Sequence, residues 1–275
     1  MIVAIEARKR CTSAILFAEA CASCCFGKKA DRMEHLAIQT SNLTFRRGDM
    51  PIINDLNLRV AQGSIFGLLG PNGSGKTTTI RLLLGLLRPA SGTVHMLRLP
   101  FEANRGELLT RIGSLVELPT LYPHLTGYEN LEITRLLRNL PKTNVASSLQ
   151  AVGLESSANR KVATYSLGMR QRLGIALALV GDPELLILDE PTNGLDPAGI
   201  LDMRKLILEL NREHGKTILI SSHFLSEIEK VATDVAILNH GRILYQGSLP
   251  ELKAAANAQA SDLETIFLTL TQPQQ

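Results

Sequence analysis

The chain has 275 residues, 45% of them hydrophobic and 20% charged, which is enough apolar material to bury a full core and too much for a disordered protein. Its 21 glycines and 12 prolines are near average usage, so collagen-like and low-complexity readings drop out. The net charge of +3 comes from residues 1–32, where Arg8, Lys9, Arg10, Lys28, Lys29 and Arg32 outnumber Glu6, Glu19 and Asp31. The rest of the chain is balanced and lacks the basic stripe or patch of a nucleic-acid binder. No uninterrupted apolar run reaches the roughly 18 to 20 residues that a bilayer-spanning helix requires.

Residues 1–32 also hold all four cysteines, Cys11, Cys21, Cys24 and Cys25. The rest of the chain has none for a disulfide framework, which fits a reducing compartment. No second Cys/His pair follows the Cys21, Cys24, Cys25 spacing, so a metal site there is not expected. Glu19 interrupts the apolar stretch at 14–26, which argues against a secretory signal. This segment is expected to be a disordered extension, with Met33 the candidate start of the chain proper.

From residue 36 onward the pattern is that of an α/β protein. Runs at 37–45, 52–60 and 64–69 read as strands. Helical patterns at 127–140, 144–152 and 167–180 follow, then a strand at 184–188 and a helix at 198–214. Two further strands, 217–221 and 234–238, lead through a turn at Asn239-His240-Gly241 into 242–246. The helices at 127–180 therefore read as an insertion in a strand-rich core.

The strongest local signal lies directly after the strand at 64–69 and before a helical run at 79–87. It reads Gly70-Pro71-Asn72-Gly73-Ser74-Gly75-Lys76-Thr77-Thr78, a P-loop in its required strand-to-helix context. Gly70, Gly73 and Gly75 let backbone N–H groups curl around a phosphate, with Asn72 and Thr78 completing the loop, and the helix N-terminus adds positive dipole. Lys76 supplies a point charge to the β- and γ-phosphates of ATP, and Thr77 a hydroxyl to Mg²⁺.

A second acidic site decides which reaction this serves. Leu185-Leu186-Ile187-Leu188-Asp189-Glu190 is a buried-strand run ending in two carboxylates. Asp189 suits the Mg²⁺ shell, and Glu190 can polarise a water for attack on the γ-phosphate. A water-directed base points to ATP hydrolysis rather than to a kinase.

With these motifs in this order, the sequence resembles the nucleotide-binding subunits of ABC transporters from about residue 36 to 270. The resemblance makes Tyr165-Ser166-Leu167-Gly168-Met169 the signature motif, Gly194-Leu195-Asp196 the D-loop and His223 the switch histidine touching the γ-phosphate. It implies an α/β fold: a P-loop core with a mainly parallel sheet, an N-terminal antiparallel β region and an inserted α-helical subdomain at about 118–180. The ATPase domain would then run over 33–248, with a C-terminal helical tail at 249–275. Ser166 opens a helical run, so its hydroxyl and the free N–H groups behind it form an anion site. Lys76 already takes the γ-phosphate from one side, so Ser166 and Gly168 serve only when a second subunit presents them. The implied assembly is a head-to-tail homodimer or a paired ATPase subunit with two ATP molecules at the interface.

Two departures from the family pattern narrow the resemblance. Glu117 stands where a glutamine is usual, which looks like the bacitracin-resistance and lantibiotic-immunity exporters. Arg47 aligns with the aromatic residue that stacks on adenine, with Phe45 two residues earlier, and either side chain can stack. The tail at 241–248 and 262–268 also resembles exporter ATPases that work with separate permease chains. The implied location is the cytoplasmic face of the membrane, reached through integral-membrane permease subunits that the helical insertion would contact. Soluble relatives acting on ribosomes or DNA carry two cassettes or a long coiled coil, and neither pattern is present.

Overall fold

The computed structural model describes residues 35–258 and 263–271. The expected disordered extension at 1–32 and its cysteines lie outside the described residues.

The centre of the fold is a six-stranded sheet in the order β11-β10-β4-β9-β8-β7. Its members are β4 (Ile65–Leu69), β7 (Ile112–Leu115), β8 (Leu185–Asp189), β9 (Thr217–Ser222), β10 (Asp234–Asn239) and β11 (Arg242–Ser248). All neighbours pair in parallel except β10 with β11. Every residue of β4, β8 and β9 is buried, as expected for parallel strands covered on both faces. A side chain at Gly67 in β4 would collide with Ile228, so the chain needs glycine where α7 (Leu225–Ile228) packs on the sheet.

A second sheet runs in the order β2-β1-β5-β6, with β3 also pairing β1. It is built from β1 (Leu36–Arg47), β2 (Met50–Leu56), β3 (Arg59–Ala61), β5 (Ser91–Met96) and β6 (Leu99–Pro100), and β1 pairs antiparallel with β2 and β5. The single strand expected at 52–60 is thus two strands. Asp55 adopts a left-handed φ of 51°, and the buried Thr40 hydroxyl holds the break by donating to Leu56 O at 2.7 Å and accepting from Leu58 N at 2.8 Å. Ile53, Leu56, Phe66, Leu68, Ile80, Met96, Phe101 and Leu238 belong to one apolar cluster that joins the two sheets.

Helix α1 (Lys76–Leu83) leaves the P-loop, and Gly85 at φ 64° ends it before the expected residue 87. Strands β5, β6 and β7 and helix α2 (Phe101–Arg111) are additional to the elements expected from the sequence. Helix α2 buries only Phe101 and Leu108 and departs from helical geometry at Asn104, so it lacks the apolar periodicity that a sequence reading relies on. Between β7 and β8 lie α3 (Gly127–Leu137), α4 (Thr143–Ala151) and α5 (Leu167–Leu179). Thr126 and Glu129 close a capping box at the start of α3. Helix α6 (Pro197–Arg212) follows β8, capped by Asp196. After β11 come α8 (Leu249–Ala258) and α9 (Leu263–Thr271). Among the described residues no helix is long and apolar enough to cross a membrane.

Candidate functional site

The parallel strands β4, β8 and β9 bring Leu69, Asp189 and Ser222 to one edge of the sheet, since Leu69 pairs with Ser222 and Asp189 with Ser221. Open α/β sheets bind ligands at such carboxyl ends. The P-loop rises from β4 at that edge. A side chain at Gly70 would run into the Leu238 carbonyl and the Ser74 hydroxyl, and one at Gly75 would lie 2.7 Å from Ile53 Cδ1. Gly73 and Gly75 take left-handed φ values of 81° and 109°, which side-chain-bearing residues adopt only under strain. The turn after β10 braces the loop, with Gly241 N–H donating to Ser74 O at 2.9 Å.

No side chain caps the start of α1, so its first-turn N–H groups face the loop without partners within the helix. Ser74 Oγ is buried and unpartnered. Lys76, only 5% exposed, curls back over the loop and donates to Gly70 O at 2.9 Å and Pro71 O at 3.3 Å. Asn72 is exposed at the loop's rim and Thr78 is half-buried in the first turn of α1. The cradle thus offers N–H groups, a hydroxyl and an ammonium, the donor set of a phosphate site.

The two acids at the end of β8 meet this cradle. Thr77 donates its hydroxyl to Asp189 Oδ2 at 2.8 Å, and Ser221 donates to Asp189 Oδ1. Glu190 sits at a left-handed φ of 47°, with its N–H reaching Ser221 Oγ at 2.9 Å. Its carboxylate lies between two nitrogens, Lys76 Nζ at 3.3 Å from Oε1 and His223 Nδ1 at 3.2 Å from Oε2. The His223 approach is off the hydrogen-bond direction, leaving Nδ1 without a formal partner. Phe224 tilts against the imidazole with ring centroids 3.9 Å apart. Lys76, Thr77, Asp189, Glu190 and His223 therefore form one cluster.

The remaining candidate residues fall elsewhere. Ser166 accepts a hydrogen bond from Met169 N at 3.2 Å and so caps α5. Gly168 faces Leu195, and Gly194 faces Leu167, so the signature segment and the D-loop segment pack together as a second locus. Glu117 stands after β7 at a left-handed φ of 60°, and its carboxylate pairs with Arg81 of α1 at 2.6 Å. Phe45 packs against the apolar core, whereas Arg47 is exposed where β1 turns into β2. Two further residues, Ser221 and Arg81, join these loci without a motif role of their own. Their only sequence signal is proximity to motifs, one two residues before His223 and the other five after Lys76.

Residues 53–193, from β2 through the P-loop to the turn after Glu190, match the model of the family described as ABC transporter. The chain belongs to the ABC transporter family. Members of this ABC family bind and hydrolyse ATP. The chain is similar to the bacitracin transport ATP-binding protein BcrA of Bacillus licheniformis, 49% identical over 217 residues that cover 78% of this chain and 71% of that one. It is 40% identical over 217 residues to the lantibiotic transport ATP-binding protein SrtF of Streptococcus pyogenes, covering 77% of this chain and 92% of that one. Among solved structures, a dimeric ATP-binding cassette in a post-hydrolysis state with ADP and Pi superposes with a TM-score of 0.68 at 25% identity. That superposition covers 77% of this chain and 98% of the other. The expected α/β architecture with its P-loop core is that of the ABC ATPase domains.

Proposed function

We propose that this chain is the ATP-hydrolysing subunit of an ABC exporter that moves a peptide antibiotic or similar amphiphile through separate permease chains. It would work on the cytoplasmic face of the membrane, as a homodimer or beside a second ATPase subunit. The observation that carries the reading is the convergence of Lys76, Thr77, Asp189, Glu190 and His223 at the carboxyl ends of β4, β8 and β9.

In this reading the loop N–H groups around Gly70, Asn72, Gly73, Gly75 and Thr78 and the Lys76 ammonium hold the β- and γ-phosphates of ATP. The Thr77 hydroxyl and Asp189 carboxylate, held together at 2.8 Å, are oxygen donors suited to Mg²⁺ with phosphate and water completing its shell. Bound there, Mg²⁺ would supply charge neutralisation as the terminal phosphoryl group is transferred. Glu190 takes the proton of the attacking water, and His223 contacts the γ-phosphate from the far side of Glu190. Ser166 and Gly168, at the N-terminus of α5, are presented to ATP held by the other subunit. The segment at 118–180 faces the permease, within an ATPase domain at 33–248 followed by the tail at 249–275. The BcrA and SrtF names support the cargo class, as does the carboxylate at 117.

A strain with the gene removed, complemented by wild-type or Glu190→Gln protein, tests the proposal. Bacitracin and lantibiotic tolerance should fall on removal and return only with the wild type, while the purified wild-type protein hydrolyses ATP. Unchanged tolerance to both peptide classes overturns the cargo assignment. Absence of ATP hydrolysis, alone and in the permease complex, overturns the motor itself.

A further inference from the structure

Ser221 is fully buried and its hydroxyl engages both acids of the cluster. It donates to Asp189 Oδ1 and accepts the backbone N–H of Glu190 at 2.9 Å. The same N–H lies 3.2 Å from the Ser221 carbonyl. Parallel register sets this arrangement, because Asp189 on β8 stands opposite Ser221 on β9. With Thr77 on Oδ2, both oxygens of the Asp189 carboxylate are fixed in direction. Glu190 then turns out of the strand at φ 47°, a conformation that persists in a non-glycine residue only where neighbours enforce it. Ser222 has a different task, since its hydroxyl accepts from Phe224 N at 2.9 Å and shapes the turn that carries His223.

We infer that Ser221 is a positioning residue for ATP hydrolysis: one hydroxyl orients the Asp189 carboxylate and anchors the backbone turn that aims Glu190, without touching ATP. The inference rests on the reading of Asp189 and Glu190 as the Mg²⁺-holding and water-activating acids. Removing the hydroxyl would leave a buried carboxylate oxygen without its donor and the Glu190 N–H with only the more distant carbonyl. Losing the donor acts on Mg²⁺ affinity, and losing the anchor acts on turnover.

Full-length Ser221→Ala, Ser221→Cys and Ser221→Thr proteins separate this from a packing role. ATP hydrolysis is followed against ATP and against Mg²⁺, with Mg²⁺-dependent binding of a fluorescent ATP analogue and thermal melting measured in parallel. Ser221→Ala should lower kcat about tenfold to a hundredfold, the scale for a hydrogen bond to a charged group, with KM for ATP changed only a few-fold. Its Mg²⁺ half-saturation should rise several-fold in both hydrolysis and analogue binding. Ser221→Cys, close in size but a weak donor, should follow alanine, and Ser221→Thr should restore both quantities. Wild-type kcat and Mg²⁺ requirement in Ser221→Ala overturn the inference, as does a set of variants that differ only in melting temperature. If Glu190→Gln itself hydrolyses ATP at the wild-type rate, the reading of Glu190 fails; if it is inactive while Ser221→Ala is normal, only the role of Ser221 fails.

Discussion

The Lys76 ammonium lies 3.3 Å from one oxygen of Glu190, whose other oxygen is 3.2 Å from His223. The other acceptors of Lys76 are the Gly70 and Pro71 carbonyls of its own loop, so its charge is balanced within the protein before any phosphate arrives. In the proposed reading, an arriving γ-phosphate draws Lys76 away from Glu190 and frees the carboxylate proposed as the base. Substrate arrival and base release are then one exchange of ion-pair partners.

Glu190→Gln tests that exchange. The amide keeps the shape but removes both the base and the internal counter-charge of Lys76. ATP binding should be retained or strengthened, while hydrolysis falls by roughly 10²- to 10⁴-fold, the range for a positioned general base. An ATP-bound dimer should accumulate, visible by size measurement with and without ATP. A variant that stays monomeric with ATP and turns over normally would assign the base elsewhere.

The parts of the cluster legible in the sequence are those whose geometry is local. Gly70 to Thr77 announce themselves because a strand, a glycine loop and a helix occur consecutively, and Asp189-Glu190 because they end an apolar strand run. Ser221 and Arg81 were not legible, since they meet Asp189 and Glu117 only through sheet pairing and the packing of α1 beside the segment after β7. The break at residues 57–58 was missed for the opposite reason: the apolar pattern continues across it, and the buried Thr40 on another strand enforces it. Elements with few buried apolar residues, such as α2, left no periodic trace.

The ion pair between Arg81 and Glu117 changes what the unusual acid at 117 implies. A bare carboxylate near a γ-phosphate would be repelled by roughly 1 to 4 kcal/mol at about 4 Å, but Arg81 at 2.6 Å offsets that charge. The pair also ties the P-loop helix to the segment that leads into the inserted helices. Glu117→Ala should leave ATP affinity of the isolated subunit within a few-fold and abolish drug tolerance in cells carrying the permease, with Glu117→Gln milder. Arg81→Ala should reproduce the loss of tolerance and, with Glu117 unneutralised, weaken ATP binding more than Glu117→Ala does. Nucleotide affinity and tolerance measured for all three variants decide the matter. Full tolerance in Glu117→Ala would reduce it to a surface acid.

Arg47 and Phe45 give different expected signatures for adenine binding. Phe45 packs on the core beside its strand partner Ile53, so Phe45→Ala should chiefly lower the melting temperature. Arg47 is exposed at the end of β1, free to lay its guanidinium plane on a base. Arg47→Ala should raise KM for ATP about three- to tenfold, corresponding to roughly 1 kcal/mol of lost stacking, without altering kcat or stability. The reverse pattern would place the adenine on Phe45.

Away from the site, Arg111 and Glu184 form a fork, with Nε to Oε1 at 2.6 Å and Nη2 to Oε2 at 3.1 Å. Arg111 closes α2 just before β7 and Glu184 precedes β8, and Glu184 N also donates to Arg111 O at 2.9 Å, so the pair pins the leading ends of two parallel strands. The Arg111 guanidinium holds the Glu184 carboxyl below the usual glutamate range, chiefly by hydrogen bonding. A depressed folded-state value means the stabilisation is present above the unfolded glutamate value and lost as pH falls through the folded one. Both side chains are substantially exposed, 32% and 45%, which limits the contribution to about 1 kcal/mol or less. Glu184→Gln should therefore melt at most about 2–4 °C below wild type at neutral pH, and the gap should close as pH drops below the ordinary range of a glutamate. Glu129 and Glu132 are depressed as well, by Thr126 and Arg135, so both proteins weaken in acid and the difference between them is the readout. A gap that stays constant from neutral to acid pH would mean the charge of Glu184 contributes nothing and only its shape matters.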